Sequence, residues 1–202
     1  MKNYLVEDRI IKIPTCWQDI KFKTYMEIAK LEKAKGAYQF EELYLMKFVE
    51  TMCEVEQGDL DDLTIEQINE IASGMTFLGD TLDFPVRTHM EIAGVDYVLP
   101  KDINKLTMGE YISIKTLQEK IGDEVAVLPY ILAIILRPGI KVVDSETGKE
   151  MWKQNKFDAE NIEYRKNLFL EQSVADLMGA VNFFLSGNKT FTNNIKDYTQ
   201  EA

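Results

Sequence analysis

The stretch VAVLPYILAIILRPG, Val125 to Gly139, decides how the rest of this chain is read. Twelve of its residues, Val125 to Leu136, form an apolar run broken only by Pro129, and the run stops at Arg137-Pro138-Gly139. A membrane-spanning helix needs about 20 apolar residues, and a run of about 10–14 reads as a buried helix. Proline fits a first helical turn, because the amide it lacks would have no partner there. The pattern therefore predicts a core helix that becomes regular near Leu128, with Leu132 and Ile135 inside the core. Arg137 would lie at its electronegative C-terminal end.

Elements can be placed on both sides of this segment. Thr107-Met-Gly-Glu110 is a capping box that opens a helix carrying Tyr111, Ile114 and Leu117. Residues 84–99 alternate about an Ala93-Gly94 turn and predict a β-hairpin. IKVV (140–143) and KEMW (149–152) predict a second hairpin. Downstream, 158–172 reads as a helix. Ser173 with Asp176 caps a last helix, with Leu177, Val181 and Phe184 on its core face and Gly187 as its stop.

Upstream, a helix is expected from an N-cap at Thr24 to Gly36, and another over 38–53. The second carries a broad apolar stripe that includes Phe40, Leu43 and Phe48, all expected in the core. Thr64 with Gln67 forms another capping box, before a short helix with Ile65, Ile68 and Ile71. Residues 4–13 are β-prone and end at Pro14, which reads as an extended N-terminal arm or edge strand. The expected fold class is mainly α within α+β, with about seven helices, two small hairpins and an extended arm. The expected organisation is an arm over 1–15, one α-rich domain over 16–187 with a weak boundary near 79–85, and a polar tail over 188–202.

The chain has 202 residues and a net charge of −11. Residues 51–100 hold eleven acidic side chains against one basic, Arg87, while the other three quarters are nearly balanced. Nucleic-acid binding needs several Lys or Arg contacts to phosphate, so direct binding of DNA or RNA is not expected. A concentrated acidic face suits a basic protein surface, or is a solvated face serving solubility. Asp59, Asp61, Asp62, Glu66 and Glu70 are the candidate interaction residues. Cys16 and Cys53 make no disulfide framework, and the N-terminus has no apolar leader; both suit a reducing cytoplasm.

No motif carries chemistry. His89, the single histidine, has no neighbours at metal-ligand spacing and reads as a half-exposed strand residue. Asp59, Asp61 and Glu70 match EF-hand positions 1, 3 and 12, but Leu63 stands at position 5 and Thr64 where glycine is required. No phosphate-binding glycine loop, CxxC or GxSxG is present. No catalytic residue, cofactor or metal is assigned, and a non-enzymatic protein is expected.

Four segments share a further character: IPTCWQDIKFKTYMEIAKL (13–31), LTMGEYISI (106–114), LAIILRPGIKV (132–142) and SVADLMGAVNFFLSG (173–187). In this order they resemble a group of tailed-bacteriophage proteins seen in phages of Bacteroidetes, including the crAss-like phages. The resemblance implies a neck or tail structural subunit, or a tail-assembly chaperone absent from the finished particle. It implies phage neck, tail or tape-measure proteins as partners, a homo-oligomer, and a place in the virion or in the host cytoplasm during assembly. A host-directed module using the acidic 51–83 face is the competing expectation.

Overall fold

A computed structural model describes residues 1–6 and 9–200, with 188–200 described at the backbone alone. The fold is α+β, half helical, with seven helices, a two-stranded and a four-stranded antiparallel sheet among the described residues. The chain divides into two compact units. One comprises residues 1–82 with 171–176, the other 83–170 with 177–202.

The first unit opens with β1 (Lys2–Val6) and β2 (Arg9–Ile13), paired antiparallel from Lys2↔Ile13 to Val6↔Arg9. The extended arm is thus a hairpin, because Val6, Ile11 and Ile13 bury one face and need a partner strand to satisfy their backbone. Glu7 and Asp8 lie outside the described residues. Helix α1 (Phe22–Ala34) starts before Thr24, whose hydroxyl donates to Glu54 at 2.8 Å instead of capping. Helix α2 (Glu41–Met52) follows, then α3 (Ile65–Ser73), with its Thr64–Gln67 capping box in place.

Buried Glu50 ties the turn after α2. It accepts from Lys47 Nζ at 2.7 Å and from the Gly58 amide at 2.8 Å, while Gly58 itself holds a φ of +95°. Residues 171–176 return to this unit through the Lys21↔Ser173 bridge. The Phe22 amide donates to the Gln172 carbonyl at 2.7 Å, and the Val174 amide to that of Ile20 at 2.8 Å.

The second unit holds the sheet β3-β4-β5-β6 (His89–Ile92, Val95–Val98, Arg137–Val143, Glu150–Gln154) and helices α4 (Met108–Ile121), α5 (Leu128–Ile135) and α6 (Ile162–Leu170). Most of α7 (Val174–Gln200) belongs to it as well. The predicted hairpins are β3-β4 and β5-β6, and pairing of Tyr97 and Val98 with Pro138 and Arg137 joins them into one sheet. The opening segment folds as α5 with Pro129 in its first turn, and Ile131 to Ile135 are all essentially buried. Arg137-Pro138-Gly139 does more than stop the helix, since it is the first part of β5. A Cβ on Gly139 would lie 2.5 Å from Val98 Cγ2 and 2.8 Å from the Lys153 carbonyl, so this strand crossing needs glycine. Helix α7 passes Gly187 and continues to Gln200, so the segment expected as a polar tail is helical at the backbone.

Leu132, Ile135, Leu177, Val181 and Phe184 are core residues as expected. Phe48 is half-buried. Phe40 and Leu43 are not core: they are 59 % and 39 % exposed, on the face of α2 turned to solvent.

Candidate protein-docking groove

Phe40 is the residue that leads to the site. It occupies the N-cap of α2, a position that favours Ser, Thr, Asp or Asn because their side chains accept from the first helical amides. Phenylalanine cannot do so, and no side-chain cap forms. A large exposed aromatic at a position that prefers a small polar residue breaks a local rule without a packing gain, and such breaks concentrate at functional sites. Ile65, the first residue of α3, repeats the pattern at 60 % exposure.

These two residues flank an open groove of about 380 Å³. Helix α2 supplies Leu43, Leu45 and Met46 to it. The turn before α3 and its first helical turn supply Leu60, Leu63 and Ile68. Leu60 and Ile68 are buried and form the floor; Phe40, Leu43 and Ile65 rise at the margin. The polar members of the wall are both carboxylates, Glu42 and Asp61. A second hollow shares Glu42, Leu45 and Ile65 and adds Glu41, Asn69, Lys35 and Tyr44. There Lys35 sits over the Tyr44 ring at 4.8 Å. Burial, with a hydrogen bond from the Tyr44 hydroxyl to Glu32, lifts the Tyr44 pKa well above the usual phenol range.

The five acidic residues singled out in the sequence are all exposed, and they do different things. Asp61 lines the groove. Glu66 stands in the first turn of α3, where a negative charge complements the helix dipole. The others are engaged locally. Arg9 donates to the Asp59 carbonyl at 2.9 Å and lies 3.5 Å from Asp62, and the Tyr4 hydroxyl donates to Glu70 at 2.6 Å. The Asp59 carboxylate accepts the Glu56 amide at 3.1 Å. Asp62 and Glu70 therefore anchor the N-terminal hairpin through their carboxylates, and Asp61 borders an apolar surface. The apolar half of the site was invisible in the sequence, because Phe40, Leu43 and Ile65 sit in helical stripes that read as core. The one available signal was an aromatic directly before Glu41-Glu42, where a capping residue belongs.

No family model, curated protein or solved structure matches this chain. Its own geometry therefore carries the reading. Among the described residues no helix is long and apolar enough to cross a membrane, and no group of three or more His, Cys, Asp or Glu side chains is placed to hold a metal ion.

The buried ionisable groups of the second unit have structural work. Glu110 Oε1 meets Arg137 Nη2 at 2.6 Å, with both side chains nearly inaccessible. Glu110 Oε2 accepts from the Thr107 amide and hydroxyl at 2.6 Å each, so one carboxylate serves as both cap and counter-ion. Burial pulls the Arg137 pKa below the ordinary arginine value, against the pull of Glu110. Arg165 Nε donates to the Ala133 carbonyl at 2.7 Å, and Gln154 Nε2 to that of Ile135 at 2.5 Å. These are last-turn carbonyls of α5, which the helix cannot satisfy itself. His89 lies on the sheet surface, 2.5 Å from Asp96, its ring stacked on Trp152 at 4.0 Å between centroids. It joins the β3-β4 and β5-β6 hairpins.

Proposed function

We propose that this chain is a non-enzymatic assembly protein of the tailed-bacteriophage type, acting in the neck or tail through protein–protein contacts. The observation that carries the reading is the groove. Three large hydrophobic side chains stand at the margin of a preformed apolar depression on a well-packed unit, and exposed patches of that kind mark interaction sites. The resemblance of the four segments supplies the phage setting, the neck and tail partners and the homo-oligomeric expectation. A structural subunit would keep its groove filled in the finished particle. A tail-assembly chaperone would fill it only transiently.

Two measurements test this. Mass spectrometry of purified virions separates subunit from chaperone. Pull-downs of the portal, neck and tail proteins with the parent chain and with Leu43→Glu test the groove itself. A chain that stayed monomeric and captured none of these proteins would sink the proposal.

A further inference from the structure

We infer that the groove takes a basic amphipathic helix of a partner protein. The inference rests on the groove being the docking surface and adds the chemistry of what docks.

The first argument is shape. The groove is lined by α2, the turn before α3 and the start of α3, and its buried residues Leu60 and Ile68 are apolar. A volume of about 380 Å³ accommodates a short row of aliphatic side chains. Amphipathic helices present such a row at i, i+3, i+4 and i+7, and they bind apolar grooves in this way. An added β-strand would instead need a free sheet edge along the groove, and the groove is lined by helices and a turn.

The second argument is charge. From Gln39 to Glu70 the sequence has ten carboxylates and one basic residue, Lys47. Lys47 is held by Glu50 at 2.7 Å. Glu42 and Asp61 stand in the groove wall, Glu41 lies in the adjoining hollow with Lys35, whose ammonium sits over the Tyr44 ring, and Glu66 is in the first turn of α3. A partner whose polar flanks carried Asp or Glu would meet like charges on both walls, whereas Lys or Arg flanks meet opposite ones. Complementary rims of this kind set specificity and association rate. The apolar floor supplies the attraction, and the acidic rim chooses the sign of the partner.

The test uses the full chain and a fluorescein-labelled 15-residue probe with leucines at helical i, i+3, i+4 and i+7 positions and lysines at the others. Two controls accompany it: the same residues in scrambled order, and the same leucine pattern with glutamate in place of lysine. Fluorescence anisotropy is expected to show binding of the leucine–lysine helix, with both controls weaker by about tenfold or more. Ile65→Asp is expected to weaken the probe by about tenfold. That variant is safe for folding, since Ile65 is exposed and acidic residues are favoured in a first helical turn. Glu42→Gln with Asp61→Asn is expected to weaken binding and flatten its salt dependence.

Equal binding of the scrambled probe would show charge attraction alone and overturn the inference. So would equal binding of the glutamate probe, an unchanged affinity in Ile65→Asp, or no binding at all. If Ile65→Asp instead dissociated a homo-oligomer of the parent chain, a second copy would be the occupant and the inference would fall. If Leu43→Glu lost its neck or tail partners while no probe bound, this inference would fail and the proposed function would stand. If the leucine–lysine probe bound and no neck or tail protein did, the inference would stand and that function would fail.

Discussion

Removing the charge of Glu110 is the sharpest stability test of the second unit. Its carboxylate is 2.6 Å from Arg137 Nη2, and the two side chains are 3 % and 8 % exposed. Breaking a buried pair by removing one partner costs about 3–5 kcal/mol, because the other charge is left uncompensated. The stranded Arg137 would be poorly placed to recover, since its Nε and Nη1 already lack hydrogen-bond partners among the described residues. Glu110→Ala also removes the acceptor for the Thr107 amide, and loss of a cap costs about 0.5–2 kcal/mol. We expect Glu110→Ala to lose about 4–6 kcal/mol. Glu110→Gln keeps an oxygen for Thr107 and loses only the charge, so about 3 kcal/mol is expected. Arg137→Met strands the carboxylate instead. Each unit holds one tryptophan, Trp17 in the first and Trp152 in the second. Urea unfolding followed by Trp152 fluorescence in a Trp17→Phe background reads the second unit. The double variant Glu110→Gln/Arg137→Met should lose well under the sum of the singles. If the two singles simply added, to within about 0.5 kcal/mol, the groups would not act as a pair and the reasoning would be wrong.

Three further outcomes are expected. Burial raises the Cys53 thiol to about 12, so in the native protein near neutral pH a thiol reagent should label Cys16 and spare Cys53 until the first unit unfolds; equal rates would contradict the packing. Burial opposes ionisation of Asp19, but the Thr15 amide, the amino terminus and the Thr15 hydroxyl overcome it and hold its carboxyl at about 2. Its stabilisation is fully present above the unfolded carboxyl value near 4 and is lost as pH falls through about 2, so Asp19→Asn should flatten the acid limb of the Trp17 signal between those values. Gly179→Ala should lower the melting temperature although alanine favours helix by about 1 kcal/mol, because its Cβ would stand 2.3 Å from the Pro85 carbonyl oxygen and overpacking costs about 1–3 kcal/mol; a stabilised variant would refute the close approach.

Much of the fold was legible because local signals and burial agreed. Thr64–Gln67, Thr107–Glu110 and Ser173–Asp176 each cap a helix through side-chain contacts three residues apart, a spacing visible in any sequence. The Ala93-Gly94 turn takes positive φ at both residues, as a tight hairpin requires. What stayed hidden depends on partners far along the chain. The β1-β2 pairing reads as one extended run until the burial of alternate residues is known. Arg137 reads as a helix-end charge, and its counter-ion lies 27 residues earlier. Phe40 and Leu43 read as core because an apolar stripe states only that a face avoids water. It does not state whether this chain or another molecule covers it.

The return of residues 171–176 to the first unit also sets an order of events during synthesis. Ile20 and Phe22 form backbone hydrogen bonds with Val174 and Gln172, and Lys21 and Lys23 form ion pairs with Glu171. These partners leave the ribosome only after residues 83–170 of the second unit have been made. The N-terminal unit, made first, is thus the one that must wait. The last turn of α5 waits similarly for Gln154 and Arg165. A nascent chain stopped before residue 171 would carry an unfinished first unit, and a ribosome-bound fragment of residues 1–82 would be more open to protease than the same residues in the complete chain.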